Sequence, residues 1–241
     1  MQAHVLRHGL TEYKQGIVDL GEANDLTPEG IAVVRATAGD LAQHVLRNRG
    51  KAVKIRSSRY GRTLYTAKIA SEELSRSGVE IPEGIVEDSR LNEVENFEWD
   101  LFYPLVSGGK IFYDGGELEI DSAVTNPERL IIPLYFRQDR HLHLPERARR
   151  LLPPSVIARI ESFEPYQSTL KRFRAVLADL NGPETHLLVG HEGYTGEFVK
   201  AFSGRSDTYL DRGKYFTLER LNGAWAPVSA QGGAIQVRQT V

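Results

Sequence analysis

Apolar positions along the chain follow two alternating rhythms. Compact apolar runs at residues 3–6, 53–55, 85–86 and 185–190 read as strands of a buried sheet. Between them the spacing lengthens to three and four, so that Ile31, Val34, Ala38, Leu41 and Val45 share one face of a predicted helix. Thr27 supplies its N-cap hydroxyl and Pro28 its first residue. A second helix is predicted over 62–74. A third carries Leu170, Phe173, Leu177 and Leu180 and is stopped by Gly182-Pro183. Residues 215–221 and 224–228, joined by Asn222-Gly223, have the form of a closing hairpin. Strands alternating with helices predict an α/β fold of three layers, a mostly parallel sheet with helices on both faces.

Residues 101–154 break this alternation. They hold Gly108-Gly109 and Gly115-Gly116, the aromatics Phe102, Tyr103, Phe112, Tyr113, Tyr135 and Phe136, and a basic run from Arg137 through Arg150. An insertion of that composition reads as a lid or substrate-selecting cap. The organisation expected is a single domain over 1–241 with a cap inserted at about 101–154. Composition then narrows the partners. Thirty Lys and Arg against 32 Asp and Glu leave a net charge of −2, so neither nucleic acid nor an anionic membrane is an expected partner. Cysteine is absent, which excludes disulfides, thiolate catalysis and Cys-ligated metals and suits a reducing compartment. The first strand is too short and polar for a signal peptide or a membrane span, and a cytoplasmic protein is expected.

The candidate chemistry sits at the predicted strand ends. Arg7-His8-Gly9-Leu10-Thr11 closes the first strand, and Ser57-Ser58-Arg59-Tyr60-Gly61-Arg62 follows the second. Leu91-Asn92-Glu93 follows the third, with Trp99-Asp100 behind it, and Gly190-His191 ends a late strand. In open α/β sheets that edge is where ligands bind. Two imidazoles and a guanidinium converging there would hold and attack a phosphoryl group. Together these motifs resemble the histidine phosphatase superfamily, the phosphoglycerate mutase-like family, over residues 2 to about 100 and 185 to about 227.

The resemblance implies a role for each residue. His8 would be the nucleophile, a neutral imidazole kept so by neighbouring cations, whose attack gives a phosphohistidine that water hydrolyses. Arg7 and Arg62 would clamp the phosphoryl oxygens, and His191 would donate a further hydrogen bond to them. Ser57 or Ser58 would orient His8 or the phosphate, or cap the helix that follows. Arg59 would contact substrate or be a solvated arginine, and Thr11 would line the substrate site. The family's proton donor falls at Glu93, a carboxyl that phosphate would keep protonated. Its rival is Glu192, which some relatives' pattern would use instead and which otherwise serves a helix N-terminus. The chain departs from the family at Leu10 and at Lys14, which stands where an Asn would touch phosphate; Lys14 is either a replacement contact or an ordinary solvated lysine.

The function expected is hydrolysis of a small phosphorylated substrate, with no cofactor and no metal, and a homodimer among the states allowed. Two alternatives remain open: phosphoglycerate mutase-type transfer, and a catalytically degenerate binding module. The second would use Arg137, Arg140, His141, His143, Arg147, Arg149 and Arg150 as a polyanion patch. Asp139 and Glu146 interleave with that run, His141 and His143 are half a metal site at most, and residues 144–152 suggest a short amphipathic helix, so a solvated basic face is preferred.

Overall fold

The computed structural model describes residues 1–11, 26–48, 50–93, 98–125, 144–204, 208–231 and 235–237. In chain order the elements begin with β1 (Gln2–Arg7), α1 (Pro28–Arg47), β2 (Val53–Ser57), α2 (Gly61–Arg76) and β3 (Ile85–Glu87), then a 3-10 turn at Ser89–Leu91. There follow α3 (Trp99–Ser107), β4 (Gly109–Tyr113), β5 (Gly116–Ile120), α4 (Ser122–Thr125), α5 (Glu146–Leu151) and α6 (Pro154–Glu161). The chain continues through α7 (Tyr166–Asp179), β6 (Thr185–Gly190), α8 (Glu192–Ser203), β7 (Thr208–Leu210), β8 (Tyr215–Leu221), β9 (Ala224–Ala230) and β10 (Ile235–Val237). These form two compact units, Met1–Glu93 with Arg172–Val241, and Val94–Lys171.

The first unit is built on a six-stranded sheet of order β3-β2-β6-β1-β8-β9. The four strands from β3 to β1 run parallel, and β8 and β9 run antiparallel at the far side. Strand alternation divides the core. Leu6, Val53, Ile55, Leu187 and Val189 pack with Ala38, Leu41 and Val45 of α1 and Ala67, Ala70 and Leu74 of α2. On the opposite face Phe173 of α7 stacks on Tyr194 of α8 with centroids 4.5 Å apart, and Phe198 of α8 lies over Phe216 of β8 at 6.2 Å. The three-layer α/β architecture read from the periodicity is therefore present.

Local signals behave as their chemistry requires. The Thr27 hydroxyl accepts from the Gly30 amide at 2.9 Å and caps α1. Asn222 and Gly223 both adopt positive φ, 49° and 84°, the backbone of a type I′ hairpin turn. His4 interrupts the apolar run of β1 because its Nδ1 pairs with the Thr217 hydroxyl at 3.0 Å. Burial, helped by His44, holds that imidazole neutral by lowering its pKa to about 3. No helix among the described residues is long and apolar enough to cross a membrane.

The second unit, Val94–Lys171, takes in the 101–154 segment marked by composition together with α6 and the first residues of α7. Its core includes Leu105, Ile111, Val156, Ile160 and Phe163, all fully buried. The β4–β5 hairpin and α3 have no clear period in sequence. The helix expected over 144–152 is shorter, since Pro145 caps α5 and Leu144 precedes it. Arg150 pairs with Glu146 at 3.1 Å and Arg149 pairs with Glu161, so these two arginines of the basic run are charge-compensated. Arg137, Arg140, His141 and His143 lie outside the described residues.

Gly190, the last residue of β6, is required for space. A Cβ there would fall 1.3 Å from the hydroxyl oxygen of Tyr194. That hydroxyl donates to the Leu91 carbonyl and accepts from the His191 amide, both at 3.0 Å. Gly190→Ala is expected to destabilise the protein by about 1–3 kcal/mol in urea unfolding, the usual range for overpacking. Gly193→Ala, where a Cβ meets nothing within 4 Å, is the control and should not destabilise.

Candidate active site

Three parallel strands end at one edge of the sheet. The register sets Arg7 of β1 opposite Gly190 of β6 and Ser57 of β2 opposite Val189. The next residues, His8, His191 and Ser58, therefore meet just beyond the sheet. Backbone bonds continue the ladder, with the His8 amide on the Gly190 carbonyl at 3.0 Å and the Ser58 amide on the Val189 carbonyl at 3.1 Å. The two imidazole rings lie 5.4 Å apart, edge to face at 61°.

The tautomer of His8 follows from its partner. Nδ1 lies 2.8 Å from the Gly9 carbonyl, which only accepts, so Nδ1 carries the proton and Nε2 the lone pair. The Gly9 amide donates to the Thr66 hydroxyl at 3.1 Å and fixes the turn. Burial pushes the His8 pKa well below its ordinary value; Arg62 and Arg7 add to that, and the Gly9 bond opposes it. Desolvation, more than the cations invoked from sequence, keeps this ring neutral.

His191 is fully buried and engaged at both nitrogens. Arg62 Nη2 lies 3.2 Å from Nδ1, and because a guanidinium only donates, Nδ1 accepts and Nε2 bears the proton. Nε2 then donates to Ser58 Oγ at 2.9 Å, Ser58 Oγ donates to Thr63 Oγ1 at 2.9 Å, and Thr63 donates to the Tyr60 carbonyl at 2.7 Å. The His191 pKa is driven well down by burial, then by Arg62. Ser58 thus orients His191 rather than His8, and Ser57 Oγ turns back to the Ser58 carbonyl at 3.0 Å. Arg62 Nη2 also donates to Glu93 Oε2 at 2.5 Å, which brings that carboxylate 3.6 Å from His191 Nδ1. Tyr60 lies under the Arg62 guanidinium, 4.9 Å from the ring centroid, and edge-on to His191 at 5.2 Å.

Arg7 meets the second carboxylate. Its Nη2 pairs with Glu192 at 2.8 Å and its Nη1 donates to the Leu210 carbonyl at 2.7 Å, while its buried Nε has no partner among the described residues. Burial lowers its pKa against the pull of Glu192. Glu192 opens α8, so its helix-terminal position and its site contact coincide. The Gly213 amide donates to the carbonyls of Arg7 at 3.1 Å and His8 at 3.0 Å, which brings the neighbouring Arg212 close enough to act electrostatically on both.

The remaining expected residues separate. Arg59 is solvated, 62% exposed and 3.9 Å from Glu87, although its amide donates to Asn92 Oδ1 at 3.1 Å. Thr11 is buried, and its hydroxyl has no partner among the described residues. Lys14 lies outside them. Trp99 and Asp100 open α3. Sequence reasoning missed Thr63, Tyr194, Arg172 and Arg212. Arg172 donates to the carbonyls of Ser89, Arg90, Asn92 and Glu93 at 3.2–3.3 Å. Nothing in the helical pattern around Leu170 and Phe173 marks it apart from other solvent-face arginines. Asp211-Arg212-Gly213 carries a turn signature that could have pointed to that loop.

Residues 3–101 match the family model of the histidine phosphatase superfamily, branch 1, the family recognised from the motifs. Solved structures of that class share the fold. A mycobacterial glucosyl-3-phosphoglycerate phosphatase, solved with VO3, is 17% identical, with 95% of this chain and 97% of that one covered and a TM-score of 0.52. An alpha-ribazole phosphatase from Shigella flexneri is 17% identical over 99% of this chain and 100% of its own, with a TM-score of 0.53. A phosphoserine phosphatase mutant from Entamoeba histolytica, in complex with phosphoserine, is 14% identical over 95% of each chain, with a TM-score of 0.50. The fold is phosphoglycerate mutase-like. No curated protein matches the sequence.

Buried neutral histidines make stability depend on pH. His4, His8 and His191 all have folded pKa values below the unfolded value of 6.5, so below that pH the unfolded chain binds the extra protons. Their contribution is complete above pH 6.5 and is lost as pH falls toward the folded values. Urea unfolding between pH 7 and 5 should show a loss approaching roughly 1.4 kcal/mol per pH unit for each imidazole. His8→Ala should remove one proton from that slope; a flat profile would contradict the buried neutral pair.

Proposed function

We propose that the protein is a metal-independent phosphatase that hydrolyses a small phosphomonoester through a phosphohistidine at His8. The observation that carries this reading is the bond from His8 Nδ1 to the Gly9 carbonyl, which leaves Nε2 as an unprotonated nucleophile at neutral pH. In the first step Nε2 attacks phosphorus in line and the bond from phosphorus to the leaving oxygen breaks. Glu93, protonated when substrate is bound, gives its proton to that oxygen. In the second step Glu93 takes a proton from water, whose oxygen displaces His8 and releases inorganic phosphate. Arg7 and Arg62 balance the charge on the phosphoryl oxygens.

The geometry supports a changed part for His191. With Arg62 on one nitrogen and Ser58 on the other, it fixes the clamp arginine, and direct donation to the phosphoryl would require breaking the Ser58 bond. Glu93 is preferred to Glu192 as the acid on the family resemblance and because its carboxylate lies 3.6 Å from His191 Nδ1; each of the two carboxylates is held by a clamp arginine, Glu93 by Arg62 and Glu192 by Arg7. The structural neighbours named for phosphatases of small phosphorylated compounds are in keeping with such a substrate. The inserted segment at about 101–154 is proposed, on its aromatic composition, to select the substrate. The cysteine-free composition suits a cytoplasmic setting.

The test is release of inorganic phosphate from para-nitrophenyl phosphate in the presence of a chelator. His8→Ala should fall to background, and quenching the wild type on a radiolabelled substrate in alkaline detergent should trap label on His8, on a bond that survives base and is lost in acid. Loss of activity on chelation, or interconversion of phosphoglycerates with no phosphate released, would refute the reading. Glu93→Gln should lower kcat/KM for an alkyl phosphate by ~10²–10⁴-fold while sparing kcat/KM for the activated aryl ester, whose leaving group needs no acid. Equal effects on both substrates would move the acid role to Glu192.

A further inference from the structure

The stretch that carries Glu93 is held from α7. One guanidinium, that of Arg172, spans four consecutive-turn carbonyls: Nη1 lies 3.2 Å from Ser89 O, 3.2 Å from Arg90 O and 3.3 Å from Asn92 O, and Nη2 lies 3.2 Å from Glu93 O. These carbonyls lie in and just after a 3-10 turn, within which Ser89 O also accepts from the Asn92 amide at 3.0 Å. Seven residues along α7, two turns away on the same face, Asp179 takes Arg90 Nη1 at 2.5 Å. From the other side the Tyr194 hydroxyl holds Leu91 O at 3.0 Å. The backbone of 89–93 is therefore fastened at several points, and Arg172 makes the bond to the carbonyl of Glu93 itself.

We infer that Arg172 is a positioning residue that sets the Glu93 carboxyl for proton transfer by gripping the backbone of residues 89–93. The inference rests on the phosphatase reading above, with Glu93 as the acid. A proton donor works only within hydrogen-bond reach of the leaving oxygen, and a misplacement of about 1 Å can cost ~10²-fold. Glu93 is otherwise directed by Arg62, a group that the phosphoryl oxygens will claim. Once they do, the backbone fastening is what keeps the carboxyl in place. Lysine offers three donors from a point and cannot span these carbonyls as the planar fork does.

The experiment compares wild type, E93Q, R172Q, R172K and the double variant E93Q/R172Q on para-nitrophenyl phosphate and phenyl phosphate. A good leaving group needs no acid, so a positioning defect should show only on the poor one. R172Q is expected to lose at least ~10-fold in kcat/KM on phenyl phosphate and less than ~2-fold on the nitrophenyl ester, with R172K between wild type and R172Q. Added to E93Q, R172Q should cost nothing further on either substrate, because the group it positions is gone. Equal losses on both substrates, or a further loss in the double variant, would overturn the inference and leave Arg172 a purely structural residue. If R172Q does not fold, R172K decides alone: a loss confined to phenyl phosphate supports the role, and no selectivity overturns it. If E93Q shows no leaving-group selectivity, the acid assignment fails and the positioning role falls with it, an outcome distinct from failure of R172Q alone.

Discussion

The parallel pairing of β1 with β6 is the contact on which the site depends. Its register, Arg7 opposite Gly190, makes His8 and His191 equivalent positions on neighbouring strands, and the His8 amide closes the ladder on the Gly190 carbonyl. A slip of one residue would turn Leu6, Leu187 and Val189 away from α1 and α2, so the hydrophobic core enforces the register that the histidines need. The close approach has its own requirement. Tyr194 lies so tightly beneath Gly190 that any side chain at that position would collide with it, and the same hydroxyl bonds the His191 amide. Packing and site geometry are thus fixed by the same residues.

Burial then selects protonation. His8 and His191 are both desolvated beside Arg62, and each ring has one nitrogen whose partner leaves no choice of tautomer: a carbonyl for His8, a guanidinium for His191. The result is asymmetric. His8 keeps a lone pair on Nε2, whereas His191 spends both nitrogens on protein groups. Two rings of the same chemistry, a few ångströms apart, are set in different tautomers by their partners.

Much of this was legible because strand ends are marked by composition. The apolar runs of β1 and β6 stop at polar residues, and the polar residues are the ones that meet: Arg7, His8 and His191, with Ser58 from β2. Thr27-Pro28 and Asn222-Gly223 act locally, so their cap and turn could be read without tertiary information. What was not legible is what depends on long-range contact. The task of Ser58 could not be read because its partner lies 133 residues away, and Arg172 sits on an ordinary helical pattern whose acceptors are backbone carbonyls without side-chain identity. The extent of the second unit is not marked in the sequence for the same reason, since α6 and the start of α7 carry a normal helical period and only their contacts assign them to it.

The charge arrangement of the site argues for the kind of ligand it can accept. Arg7 and Arg62 are each nearly buried, and each is met by a partly exposed carboxylate from a different segment, Glu192 and Glu93. A buried guanidinium deprived of its anion is strongly unfavourable, so a neutral ligand cannot take the place of either carboxylate. A ligand that displaces them must bring negative charge and acceptor atoms for both forks at once. A phosphoryl group meets both demands: its oxygens match the guanidinium geometry, and its charge replaces what the carboxylates supplied.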